Sequence, residues 1–349
     1  MTSVFEKPKL EFYDFNSLWS QNGVYNFLVG ARGLGKTYGA KEFAIRKFLD
    51  TGDQFIYLRR YDTELRGAKA ALFNDLHDAF PNYEFRADGD LLKIRPISVG
   101  ETEYKWEICG YAVALSKAQQ KKSISYHRVR LIIFDEFIIE KGAVRYLPDE
   151  AKMFNDFYST VDRWKDKTRV LFLANSISIM NPYFVEYDIK PDPEREWIRK
   201  FKDENGFFII AHFPDSEAFA KGVYQTRFGR FIKGTEYADY AVGSFFSDNS
   251  NDLVRSKSEE AIYYASLITD FGKFSIWVDS SNMLTFYLQQ KCPREEVIWV
   301  MDPAIMAENR ILVEFNNPLL STMRTAYAQG RAWFDSPQSR NAFAGIYKR

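Results

Sequence analysis

The chain carries two cysteines, Cys109 and Cys292, in 349 residues. That is too few for a disulfide framework, and neither has a partner at metal-ligand spacing. A reducing compartment is the expectation that follows. Its three histidines, His77, His127 and His212, have no metal spacing and are assigned to structure. No apolar run approaches the ~20 residues of a membrane span. Met1 to Phe15 holds no stretch of signal-peptide length. The expectation is therefore a soluble, intracellular protein with no membrane partner. Net charge is lacking as well, because 47 Lys and Arg balance 47 Asp and Glu. Bulk charge cannot coat nucleic acid with this chain, although a local basic patch can still meet phosphates. Internal repeats and low-complexity segments are missing. Aromatics are plentiful at 17%, and 46% hydrophobic with 27% charged residues is the balance of a folded protein with a sizeable core.

The first half reads as strands alternating with helices. Val24 to Gly30 is a short apolar run ending in glycine, and Gln54 to Arg60 is a second strand. Lys36 to Asp50 has Ala40, Phe43, Ala44 and Phe48 on one helical face. Asp62 to Phe80 reads as helix, stopping at Pro81. Leu91 to Ile97 and Tyr104 to Ala114 form a β excursion. Val129 to Asp135 and Thr168 to Asn175 suit strands buried on both faces, with a helix from Pro148 to Arg163 between them. Such alternation predicts an α/β fold with a mostly parallel sheet, closing with a strand at Phe207 to Phe213. We expect a first domain over residues 1–213, a linker over 214–247 and a small α+β domain over 248–349. That last domain should hold an antiparallel meander (Ala261 to Thr269, Gly272 to Asp279, Met283 to Gln290), then Val297 to Met301, a helix around Leu319 to Gln329, and Arg331 to Asp335.

Gly30-Ala31-Arg32-Gly33-Leu34-Gly35-Lys36-Thr37 fits GxxxxGK[ST], between an apolar strand and a helix. Glycines let backbone N–H groups turn inward around phosphate oxygens, and the helix N-terminus adds its dipole. Lys36 is placed to reach β- and γ-phosphates, and the Thr37 hydroxyl to coordinate Mg²⁺. The spacing is not that of a dinucleotide fingerprint. Leu131 to Glu136 supplies the partner motif, with Asp135 for the Mg²⁺ shell and Glu136 as general base for the attacking water. An Asp-Glu pair there separates hydrolytic motors from nucleotide kinases and small GTPases. The expected cofactors are ATP and Mg²⁺. Asn175 ends its strand where it can touch the γ-phosphate or water, or merely cap the strand.

Lys117, Lys121, Lys122, Arg128 and Arg130 form one basic run without an acid, and Lys221, Arg227, Arg230 and Lys233 another. Each suits phosphate contact or a solvated face. Arg163 sits near the end of its helix, where it can face a neighbouring subunit or interact with the helix C-terminus.

GARGLGKT, QFIYLRRY, IIFDEFIIEK, RVLFLANSISIMNPYF and TRFGRFIKGTEYAD follow one another in this order. Together they resemble the DNA-packaging ATPases of phi29-like bacteriophages, densely from Gly30 to Tyr183 and from Thr226 to Tyr237. The resemblance implies an ASCE-type P-loop ATPase. It implies a pentameric homo-oligomeric ring docked on the portal of an empty prohead, driving double-stranded DNA inward, with prohead RNA as a further partner. Localisation would be the host cytoplasm, transiently on the prohead and not in the mature virion. The C-terminal domain would resemble a vestigial RNase H-type nuclease. The absence of a carboxylate within Ala261 to Thr269, with Asp270 only at its end, favours binding over cutting. By the same resemblance Arg163 is the first candidate for an arginine finger acting in trans. Lys122 is the second, unless it touches DNA, and Arg169 is a weaker rival. Lys117, Lys121 and Lys122 are the candidate DNA contacts. The competing readings are a large terminase subunit with an active nuclease, a ring helicase, and a non-motor P-loop switch.

Overall fold

Strand β1 (Tyr25–Gly30) is buried at every position, and so is β2 (Gln54–Arg59), as expected of central strands in a parallel sheet. The computed structural model describes residues 10–98, 103–121, 125–139, 145–192, 194–242, 246, 253–269, 272–281, 283–293, 297–314 and 316–347. Two compact units are present. The first comprises Met1–Val144, Lys152–Ile177 and Pro191–Phe245, and the second Arg145–Ala151, Ser178–Lys190 and Phe246–Arg349.

The first unit is built on a nine-stranded sheet. Its remaining strands are β3 (Tyr83–Asp88), β4 (Leu91–Pro96), β5 (Glu107–Ala114), β6 (Val129–Asp135), β7 (Arg169–Asn175), β8 (Trp197–Asp203) and β9 (Gly206–His212), in the order β3-β4-β5-β2-β6-β7-β1-β9-β8. The six strands from β5 to β9 in that order run parallel, while β3, β4 and β8 close the edges antiparallel. Register sets Gly30 opposite Asn175 and Phe134 opposite Leu58. The carboxyl ends of four neighbouring strands therefore converge on one edge of the sheet, where parallel α/β sheets present their ligand sites.

Alternate side chains of β1 divide the core. Leu28 faces the layer of helices α2 (Lys36–Thr51) and α3 (Asp62–Ala71), among Ala44, Ile45, Leu65 and Leu171. Phe27 faces the other side, stacked on Phe172 with ring centroids 4.2 Å apart. Phe134 and Phe137 join that aromatic layer, as does Phe154 of helix α4 (Glu150–Asp162). Helix α3 stops at Ala71, short of the expected Phe80. Turns carry Leu72, Phe73, Leu76 and Phe80 into the core with a spacing that also suits a helix. Strand β8 was not foreseen, because an exposed antiparallel edge strand reads as polar.

The segment 214–247, expected as a linker, holds three short helices: α6 (Glu217–Val223), α7 (Arg227–Ile232) and α8 (Glu236–Ala241), after α5 (Pro182–Glu186) earlier in the chain. Ser216 Oγ donates to the Val242 carbonyl at 3.5 Å, and Arg32 N–H donates to the Ala241 carbonyl at 3.0 Å. The second bond, with the buried Phe219 packed on Ala31 and Leu34, ties the segment to the turn after β1.

The second unit has a six-stranded sheet. Strands β10 (Ile262–Thr269), β11 (Gly272–Asp279) and β12 (Thr285–Gln289) form the expected antiparallel meander. Beyond it β13 (Ile298–Val300) lies parallel to β10, β14 (Arg310–Leu312) parallel to β13, and β15 (Ala332–Phe334) parallel to β12. Helix α9 (Pro318–Ala328) starts at a Pro after Asn317, whose side chain accepts from Leu319 and Leu320 N–H. Its Leu320 and Met323 pack with Leu267, Ile276, Phe286, Phe334 and Phe343 of helix α10 (Pro337–Tyr347) in the unit's core. β14 and α10 were not anticipated. No helix among the described residues is long and apolar enough to cross a membrane.

Candidate active site

The loop between β1 and α2 turns on two left-handed glycines, Gly33 at φ 81° and Gly35 at φ 84°. A side chain at either would strain that backbone. Gly35 is the N-cap of α2 and offers no side-chain acceptor, so the positive end of the helix is uncapped by the chain itself. Lys36 is 7% exposed. Its Nζ donates to the Gly30 carbonyl at 2.9 Å, the Ala31 carbonyl at 2.7 Å and Asn175 Oδ1 at 3.1 Å. All three partners are neutral. Burial accordingly pulls its pKa down to about 8, with Asp135 opposing the shift. A buried ammonium bonded only to neutral oxygens has an incomplete countercharge, which an anion at the loop would complete.

Thr37 Oγ1 donates to Asp135 Oδ1 at 3.0 Å. The other oxygen of Asp135 accepts from Tyr57 Oη at 2.7 Å and Arg59 Nη1 at 3.2 Å. Asp135 is thus held from behind, and one oxygen faces the Thr37 hydroxyl. A hydroxyl and a carboxylate oxygen at hydrogen-bond distance form a hard oxygen pair, the donor chemistry that Mg²⁺ takes. Glu136 follows in a left-handed conformation, φ 56°, an uncommon geometry for this residue type. Its side chain is 66% exposed, and its carboxylate accepts from Arg59 Nη2 at 2.6 Å. Arg60 donates to the carbonyls of Glu136 and Phe137, fixing the backbone beyond β6. The arrangement can hold a phosphate chain, a divalent ion and a carboxylate base within one strand-end cluster.

The chain matches the family described as Podovirus DNA encapsidation protein (Gp16) over residues 7–349. It belongs to that family. The DNA packaging protein of Bacillus phage B103 is 31% identical over 332 residues, covering 95% of this chain and 98% of that one. The bacteriophage phi29 viral genome packaging motor assembly contains a chain 30% identical, at TM-score 0.68, covering 97% of this chain and 99% of its own length. The crystal structure of the N-terminal domain of the phi29 DNA packaging ATPase is 34% identical at TM-score 0.51, covering 60% of this chain and 98% of that chain.

For this encapsidation protein the structure gathers Gly30 to Thr37, Asp135, Glu136 and Asn175 into one cluster. Arg163 is elsewhere. It is exposed at φ 55°, in the loop that precedes β7, whereas Asn175 ends that strand. Seven residues of strand, about 20 Å, separate it from Lys36 of its own chain. The buried Asp162 carboxylate organises this loop by accepting from the N–H groups of Lys165, Asp166, Lys167 and Thr168. Burial raises the Asp162 pKa, but these four bonds outweigh it and hold the carboxyl below its ordinary value. Arg169 clamps the Asn22 and Gly23 carbonyls at 2.8 Å, again at the remote end of the sheet. Lys117 sits on a 3₁₀ turn, Leu115–Lys121, beyond the carboxyl end of β5, and its Nζ lies 3.0 Å from Asp62 Oδ2. Lys121 closes that turn, and Lys122 lies outside the described residues.

Sequence reasoning missed Tyr57, Arg59 and Arg60. The available signal was two arginines and a tyrosine at the end of an otherwise apolar strand, beside the strand that bears Asp135.

Proposed function

We propose that this chain is an ATP hydrolase that drives double-stranded DNA into a viral prohead through its portal, acting as a homo-oligomeric ring. The observation that carries the reading is Lys36. A buried ammonium with three neutral partners stands beside a Thr37–Asp135 oxygen pair, and a carboxylate base follows in sequence. Family membership and the motor assembly containing a similar chain support the DNA-translocating role.

In this reading the N-terminal end of α2 and Lys36 Nζ bind the phosphates, and Asn175, already bonded to Lys36, orients that ammonium toward the γ-phosphate. Thr37 and Asp135 would hold Mg²⁺. Bound there, it would supply positive charge to the phosphate oxygens. Glu136 accepts the proton of the attacking water. Arg59 shares the Glu136 carboxylate and so also orients the base. Tyr57 and Arg59 keep the second Asp135 oxygen occupied and so orient the first.

Arg163 stands before the amino end of β7, remote from Lys36 of its own chain, and we assign it to a neighbouring subunit's nucleotide. Lys122 is the second candidate for that role. Lys117, Lys121 and Lys122 are proposed to meet DNA phosphates. Lys117 would do so by exchanging its Asp62 partner. Pentamer stoichiometry, prohead RNA as partner and the host cytoplasm as location belong to the same proposal.

The second unit is proposed to bind rather than cut. Strand β10 carries no carboxylate, Asp279 is tied to Ser258 and Ser281, and Asp335 to Ser339 and the Gln290 N–H. The expected Asp270 lies outside the described residues.

Steady-state hydrolysis by Glu136→Gln tests the site. The variant should bind ATP with near-parental affinity and lose turnover by at least about a hundredfold. Parental turnover would refute the role of Glu136.

A further inference from the structure

The stretch before β1 packs four aromatic residues against the ATPase unit, and three of them face inward. Tyr13 donates its N–H to the Leu34 carbonyl at 3.0 Å and pairs its hydroxyl with His212 Nδ1 at 2.8 Å. Phe15, in helix α1 (Phe15–Trp19), fills the space beside Gly39, and Trp19 stacks on Phe43. Phe12 differs. It is 62% exposed, although Leu10 and Tyr13 on either side of it pack against the cluster of Ala31, Leu34 and Phe219. Its ring lies against Gly35, close enough that a β-carbon on that glycine would come within 3.2 Å of ring Cδ1. The ring of Phe219, itself buried, stands 6.4 Å away at 48° and supports it from the other direction.

The fold therefore holds a largely uncovered aromatic surface one residue from Lys36, beside the loop where a phosphate chain would end. A nucleoside triphosphate seated on that loop extends its ribose and base beyond the phosphates, and Phe12 offers an exposed apolar face beside the loop. We propose that Phe12 is the stacking platform for the nucleotide base. This rests on the phosphate-loop reading above and adds the other end of the ligand. Stacking uses a π-face that every base has, so Phe12 contributes affinity rather than a choice between adenine and guanine.

The test compares three ligands, ATP, GTP and inorganic tripolyphosphate, binding to the full-length protein, Phe12→Ala and Phe12→Trp. Phe12→Ala should weaken ATP and GTP alike by about 5- to 100-fold and leave tripolyphosphate unchanged. Phe12→Trp should keep near-parental ATP affinity, and its added indole emission should be quenched by ATP but not by tripolyphosphate. Unchanged ATP affinity in Phe12→Ala overturns the proposal. So does an equal loss for tripolyphosphate, which would mean that the side chain supports the loop instead of the base. If the parental protein binds neither ATP nor tripolyphosphate, or if Lys36→Ala binds both as well as the parent does, the phosphate-loop reading itself fails. The first two failures leave that reading standing.

Discussion

The Lys36 ammonium gives the nucleotide site a pH dependence with a defined sign. Its pKa without nucleotide is about 8, because burial removes water and the three hydrogen-bond acceptors bring no charge. Bound phosphates restore the missing countercharge and return the group toward the ordinary lysine value of about 10.4. Binding above pH 8 must then take up a proton. Between pH 7 and pH 9 the protonated fraction of free Lys36 falls from about nine-tenths to about one-tenth, and affinity for Mg·ATP should drop about tenfold. ATP phosphates are already ionised over most of this window and do not mask the effect. The assay is calorimetric titration with Mg·ATP from pH 7 to 9.5 in buffers of different ionisation enthalpy, which counts the protons taken up. Lys36→Arg is the control, because a guanidinium does not titrate here and its profile should be flat. The nucleotide-free fold has the opposite slope. The depressed Lys36 pKa means that the unfolded chain binds more protons between about pH 8 and 10.4, so this group's share of stability rises through that window. A pH-independent affinity, or an equal fall in Lys36→Arg, would refute the assignment.

Three further outcomes follow from the geometry. Phe172, fully buried among Phe27, Phe134, Phe137 and Phe154, should cost about 3–5 kcal/mol when cut to alanine, read as a lower urea midpoint. Arg163→Ala and Glu136→Gln subunits, each inactive alone, should regain partial ATPase activity when mixed, because an intact Arg163 can then stand beside a neighbour's intact Glu136. Mixed rings with no activity at any ratio would place Arg163 in a structural role. Full-length protein incubated with plasmid and Mn²⁺ should leave the plasmid uncut, and cleavage that survives stringent purification would overturn the binding-only reading of the second unit.

Much of this was legible in the residues. Val24 to Gly30 and Val129 to Asp135 announce buried strands because both of their faces are apolar, and GxxxxGKT allows few backbone solutions between a strand and a helix. What stayed hidden depended on partners distant in sequence. Arg59 reads as the polar end of a strand until register sets β2 beside β6, which delivers its guanidinium to both Asp135 and Glu136. Residues 214–242 hold short helices with weak periodicity, tied to the phosphate loop by contacts that no local pattern encodes. In the sequence Phe12 is one of 31 phenylalanines with no pattern to single it out. Its exposure beside Gly35 became visible only in three dimensions.

The most direct test of the account is DNA packaging by purified components: this protein, portal-bearing proheads, double-stranded DNA and ATP. The account predicts that DNA becomes resistant to added nuclease only when ATP is present, and that Glu136→Gln abolishes this protection while still docking on proheads. Protection that is independent of ATP, or parental protection by Glu136→Gln, would contradict it.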